Sequence, residues 1–201
     1  MTTSTMLSDL GVRLNDVNED RFSSSDKLAM LNTMQIEVAS LAPIELLDQL
    51  QATNDFTAEA SGKPLPGDYF RYVNSKLRSL NPQKWITKRD VDNLSVEGNR
   101  YLKGTDASPT CYIWDGLYYL NVTTFSGSYI AVRLYYIKTP TTLTTTVNSS
   151  LHSKLHPLLV DLAEAQLGLN SKLGDPEVYA LKIKNAYEKI NALGGISKRS
   201  E

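Results

Sequence analysis

Cysteine is nearly absent from this 201-residue chain, where Cys111 stands alone. One thiol excludes a disulfide framework within the chain and a cysteine-rich metal site, and it fits a reducing compartment. Charge bias is missing too. Lys and Arg number 21 against 22 Asp and Glu, a formal net charge of −1. No global field therefore marks a dedicated nucleic-acid or membrane-surface binder, although local geometry is left free to contact DNA. No apolar run approaches the roughly eighteen residues of a transmembrane helix. The opening MTTSTMLSDLGVRLNDVNEDRF lacks a basic start followed by an apolar run, so no signal peptide is expected. A soluble protein is the expectation. Histidine is limited to His152 and His156, and no Gly-rich phosphate loop is present.

What is there is ordinary for a folded chain, with 41% hydrophobic and 21% charged residues. The length suits one domain of moderate size, or one domain carrying a subdomain. Eleven tyrosines against four phenylalanines and two tryptophans are the one oddity. Tyrosine packs an apolar ring and keeps a polar tip, which suits a sheet surface or an interface.

Leu7, Leu10, Leu14 and Val17 recur at helical steps and predict a helix over residues 4–17. Ser23 to Ser25 before Asp26 offer an N-cap for a second helix. Its apolar face is Leu28, Leu31, Ile36, Val38 and Ala39, with Met30 and Met34, and it runs to about Leu41 before Pro43. A short strand is expected at Phe56–Ala60, then a turn over Ser61–Asp68. Residues 68–78 read as a helical turn running into a strand. Trp85–Thr87 reads as an edge strand, and Lys88–Glu97 as a short polar helix. Cys111–Trp114 and Leu117–Thr123 flank Asp115-Gly116, a type I′ hairpin signal. That register sets Trp114 against Leu117, Ile113 against Tyr118 and Tyr112 against Tyr119. After a turn at Phe125–Gly127, Tyr129–Lys138 reads as a central strand covered on both faces.

The polar run Thr139–Ser150 reads as an extended connector, a hinge between parts. A third helix is expected from Asn148–Ser150, with Pro157 in its first turns and Leu158, Leu159, Leu162, Ala163, Gln166 and Leu167 as its stripe. Gly168 and Asn170 are expected to end it. Asp175-Pro176 opens a fourth helix with Val178, Leu181, Ile183, Ala186, Tyr187 and Ile190 inward, ended by Gly194-Gly195. The fold class expected is α+β: a helical bundle of N- and C-terminal helices with an inserted Tyr-rich antiparallel β-sheet subdomain. The body is 1–50 and 148–195, the β-rich insert 51–147 and the polar tail 196–201.

Chemistry is thin. His152 and His156, four apart, would share a helix face like half a zinc site. Ser153 stands where a metalloprotease helix needs Glu, and the plainer reading is surface or interface histidines at a helix start. Cys111 reads as a small buried apolar residue rather than a nucleophile. The acid pairs Glu19-Asp20, Asp90/Asp92 and Asp161/Glu164 read as solvated faces. Lys84, Lys88 and Arg89 form a basic cluster offset by Asp90 and Asp92, and are the candidates for weak phosphate contacts. No catalytic, cofactor-binding or metal-ligating set emerges, and no cofactor is expected. Candidate interface residues are Tyr118, Tyr119, Tyr129, Arg133, Tyr135, His152 and His156.

The order of elements carries more information. A Leu65-Pro66-Gly67-Asp68 turn follows a helical hairpin. A Tyr-rich hairpin then leads into Val132–Pro140, a threonine connector, His156-Pro157 and the helix from Leu158. This order resembles the head-to-tail adaptor (connector, neck) proteins of tailed bacteriophages. The resemblance implies a non-enzymatic virion protein, made in the host cytoplasm and placed at the capsid–tail neck. It implies an oligomeric ring, a dodecamer, beneath the portal protein, which extends the DNA channel and offers tail or further neck-ring proteins an attachment surface. Passing double-stranded DNA would be met non-specifically, and no membrane is involved. The other readings are a non-catalytic binding module of a cellular complex using the Tyr-rich sheet, and a small hydrolase using Cys111 with either histidine.

Overall fold

The computed structural model describes residues 1–59, 61–78, 83–90, 104–105, 107–122 and 131–197. Among them are four α-helices and seven strands, an α+β fold. Two units separate: Met1–Leu50 with Thr139–Glu201, and Gln51–Lys138.

In the first unit, α1 spans Thr3–Arg13, with the Thr2 hydroxyl accepting from the Thr5 N–H. It stops earlier than its apolar spacing predicts. Asn15 takes a φ of 51°, and the Asp16 N–H reaches the Gly11 carbonyl at 2.8 Å, a left-handed closure that satisfies the last carbonyls. Val17, expected on the stripe, is consequently exposed. Asp16 is buried and accepts from the Arg21 and Phe22 N–H groups and from Lys27 Nζ at 3.0 Å. The clip ties this turn to α2, Ser24–Leu41. Ser23 caps α2 in a reciprocal capping box with Asp26.

One face of α2 differs from the expectation. Ile36 is exposed and Gln35 is buried, because Gln35 donates to the Thr141 carbonyl and accepts from Ser149 Oγ. Asn32 likewise holds Leu143 through both its N–H, at 2.6 Å, and its carbonyl, at 3.2 Å. Thr3 holds Val147 and Asn148. The connector expected as a hinge, and counted to 147 with the insert, is thus strapped along the helical unit from Thr139 onward.

A 3-10 turn at Ser153–Leu155 leads into α3, His156–Asn170, with Pro157 in its first turn. α3 starts later than Asn148–Ser150 because the chain before it is spent on that strap. It is buried almost all round, well beyond the expected stripe, since α1, α2 and α4 all pack on it. Gly168, expected as a helix stop, lies inside α3 beneath the Tyr179 ring. Lys172, at φ 53°, makes the closing turn. α4, Pro176–Ser197, starts at Asp175, whose carboxylate accepts from the Glu177 N–H at 2.9 Å. It runs through Gly194-Gly195, where the sequence predicts a stop. Val178 and Leu181, expected inside, are 50% and 57% exposed.

The second unit is one sheet of order β1-β7-β3-β4-β5-β6-β2. Its strands are β1 Gln51–Thr57, β2 Lys63–Pro64, β3 Tyr69–Leu77, β4 Lys84–Lys88, β5 Thr110–Trp114, β6 Leu117–Asn121 and β7 Ala131–Lys138. The β5–β6 hairpin has the register read from the sequence, with Asp115 and Gly116 at φ 48° and 72°, as a type I′ turn requires. β4 is not an edge: it pairs antiparallel with β3 and parallel with β5. The helical turn expected after Asp68 is strand throughout. Two register shifts in β3, at Phe70 and Val73, spoil the alternation that would have identified it. β7 is central, between β1 and β3. Its Val132, Leu134 and Tyr136 join a core with Leu77, Ile86, Cys111, Tyr118 and Leu120. Arg133 and Tyr135, on the opposite side, are only half-buried, so the strand is not covered equally on both faces. The Phe125–Gly127 turn, Tyr129 and most of the expected Lys88–Glu97 helix lie outside the described residues.

Candidate partner-docking face

Strand alternation delivers one cross-strand row to the outer side of the sheet. Asp55 on β1 pairs with Arg133 on β7, Arg133 with Lys76 on β3, and Lys76 with Trp85 on β4. The Arg133 guanidinium grips Asp55 with two hydrogen bonds, Nε–Oδ1 at 2.7 Å and Nη2–Oδ2 at 2.6 Å. Arg78 adds Nη1–Oδ2 at 2.6 Å. The Arg133 hydrogen bond outweighs desolvation and holds the Asp55 carboxyl below the usual range, with Arg78 assisting. Forked geometry of this kind is the strong form of an ion pair.

Beside the ion pairs the face turns aromatic. Lys76 Nζ lies 5.2 Å from the Trp85 ring centre, and Trp85 tilts against Tyr135 at 5.9 Å. Trp85 is 56% exposed. A hollow of about 370 Å³ opens there, lined among others by Thr53, Asn74, Trp85 and Tyr135. Such a surface recognises by ring stacking and charge. Trp114, at the β5–β6 hairpin tip, is 57% exposed. Both tryptophans of the chain thus face outward.

The structure separates the residues singled out from the sequence. Arg133 and Tyr135 sit on the face just described. Tyr119 is half-buried, stacked on Tyr112 at 4.7 Å and over Gly62, whose φ of 87° and tight fit admit no side chain. Tyr118, expected at an interface, is in the core instead. Its inward place on β6 buries the ring against Phe56, and its hydroxyl meets Ser75 Oγ at 2.9 Å. Of the expected phosphate contacts, Lys84 is half-buried on β4, Lys88 sits over the Tyr72 ring at 5.5 Å, and Arg89 is exposed. Lys76, Arg78, Asp55 and Trp85 escaped the sequence reading. Their only sequence trace is outward parity on strands, and the bulges hid that on β3.

Cys111 closes a polar knot inside the sheet with Ser75, Tyr72 and Tyr118, its Sγ 3.8 Å from Ser75 Oγ. Burial pushes its thiol pKa up, the reverse of what activates a nucleophile. The two histidines do not share a helix face, because α3 begins only at His156. His152 is half-buried and its Nδ1 accepts from the Lys154 N–H. His156 is buried between the Met1 amino group, 2.8 Å from Nδ1, and the Leu151 carbonyl, 2.9 Å from Nε2. An ammonium only donates, so Nδ1 is bare and the proton sits on Nε2. Burial lowers the His156 pKa.

Asp161 and Glu164, read from the sequence as a solvated face, instead line a hollow between α1, α3 and α4. Arg13 contacts Asp161 at 2.5 Å, and Lys182 contacts Glu164 at 2.5 Å. Among the described residues no cluster of His, Cys, Asp and Glu is arranged to hold a metal ion, and no helix is long and apolar enough to cross a membrane. Compared with known families, the chain matches the model described as SU10 adaptor protein over residues 1–201. No curated protein matches it.

Proposed function

The chain belongs to the SU10 adaptor protein family, a family of phage head-to-tail adaptors, and from that premise we propose that it is a structural protein of the virion neck. It docks beneath the portal protein as a ring, a dodecamer, extends the DNA channel and gives tail or further neck-ring proteins their attachment surface. The family match over the full length carries the reading. Two features of the molecule support it. The helices form a body, with Val178 and Leu181 of α4 and Ile36 of α2 exposed as apolar positions for contact between neighbouring copies. The Tyr-rich sheet presents Arg133 and Tyr135, with Trp85, as the layer that meets a partner.

A near-neutral chain also suits a conduit. Each phosphate neutralised by Lys or Arg releases counterions and holds the duplex, so a strongly basic lining would slow passage. Lys84, Lys88 and Arg89 remain the candidates for passing, non-specific phosphate contacts. Copurification with a portal ring, imaged by electron microscopy, tests the proposal. A ring density on the portal in which this chain can be built is expected. Absence of the chain from intact particles sinks it.

A further inference from the structure

The outer row of the sheet is unbalanced in charge. Among the described residues of this row, Arg78 and Arg133 share one acid, Asp55, while Lys76 lies over the Trp85 ring, so the cations outnumber the acid by two on a chain whose total is −1. The excess sits beside the exposed Trp85 ring and the hollow of about 370 Å³. The hollow has a local cause. Val73 is the extra residue of a β-bulge: Tyr72 pairs with Tyr136 and Asn74 with Tyr135, leaving Val73 without a partner on β7. A bulge bends its strand and re-aims neighbouring side chains, here opposite the Trp85–Tyr135 pair.

We infer that this hollow is the seat of an acidic protein segment, with an aromatic or aliphatic side chain set between Trp85, Tyr135 and Thr53 and carboxylates against Lys76 and Arg133. Charge complementarity selects an acidic occupant, and the rings select a protein over nucleic acid. A duplex presents phosphates on a convex ridge, so it would use the cations and leave the rings and the hollow unfilled. Trp85 lines the hollow and Arg133 lies in the row beside it, and tryptophan and arginine are among the residue types that dominate protein interfaces. Lys76 is held in place over Trp85, so the cation and the ring are presented together. The inference deepens the reading of this sheet as the docking layer and names the chemistry of what docks.

The test uses the full chain carrying Trp114→Phe, which leaves Trp85 as the one tryptophan reporter. The probes are a synthetic Glu-rich peptide with a central Phe, a Lys-rich peptide of the same length with the same Phe, and a short DNA duplex. A saturable change in Trp85 emission with the Glu-rich peptide is expected, weakening as salt rises. Lys76→Glu is expected to weaken that binding tenfold or more. Thr53→Tyr, which fills the hollow without touching the charges, is expected to do the same. No saturable change with the Glu-rich peptide, an equal response to the Lys-rich one, or tighter binding of the duplex overturns the inference. No portal is present in this assay, so its failure is distinct from failure of the ring proposal.

Discussion

His156 shows how much one buried polar residue depends on its partners. Its neutral ring bridges the Met1 amino group and the Leu151 carbonyl at the start of α3. Burial, the nearby ammonium and His152 all oppose a charge on it, and only the Leu151 bond favours one. The folded pKa therefore lies below the unfolded value of about 6.5, and the unfolded chain binds the proton first. Stability is fully present above that value and falls as the pH drops through it toward the folded pKa. In paired urea titrations of parent and His156→Gln, the loss of stability from pH 7.5 toward pH 5 is expected to be smaller in the variant. Parallel curves would show that the ring does not titrate with unfolding. Asp16 shifts in the same direction for the opposite reason, because there the charged form is the favoured one. Its burial raises the pKa, but Lys27 and two backbone N–H groups outweigh that and lower it. Its contribution is lost only below the ordinary carboxylate range. Neither environment is legible from residue type, since Asp16 is one acid among many until its turn closes over Lys27.

At the scale of elements, the α3–α4 contact rests on a glycine. A Cβ at Gly168 would collide with the Tyr179 ring, so small size, and not backbone freedom, is what this position demands. Gly168→Ala is expected to destabilise the chain by about 1–3 kcal/mol as overpacking, measured by urea unfolding. Adding Tyr179→Leu should recover part of the loss, and a neutral Gly168→Ala would show that the ring moves away freely. The starts of α2 and α4 were legible because capping is local chemistry: Ser23 with Asp26, and Asp175 before Pro176, act within three residues. Helix ends were less so. α1 closes on Asn15 and α3 on Lys172, both non-glycine residues in the left-handed region, while Gly194-Gly195 sits within α4. β3 was hidden for a different reason, since its two bulges break the two-residue period on which strand reading depends.

At the scale of the molecule, the chain leaves the helical unit at Leu50 and returns at Thr139. These crossings start side by side, because Gln51 pairs with Ile137 and paired Cα atoms lie about 5 Å apart. Each unit also has its own core, Met6, Leu10, Leu31, Val38, Leu159, Leu162 and Ile190 in one and the Tyr118–Val132–Leu134 group in the other. Replacing Gln51–Lys138 by a short Gly-Ser turn is therefore expected to leave a helical unit with a cooperative thermal transition, read by far-UV circular dichroism. A broad, non-cooperative melt would mean that the helices lack an independent core.

By itself the sequence determined the α+β class, the capped starts of α2 and α4, the β5–β6 hairpin with its register, and the family likeness. All of these rest on local chemistry or on element order, which read along one chain. Tertiary structure alone decided where the Thr139–Ser150 connector lies, because Asn32, Gln35 and Thr3 reach it from more than a hundred residues away. It likewise took Tyr118 and His156 into the interior and assembled Asp55, Arg133, Lys76 and Trp85 from four strands into one row. Parity along a strand tells which face a side chain takes but not which side chains on other strands it meets, so that row became visible only once β1, β7, β3 and β4 were laid side by side.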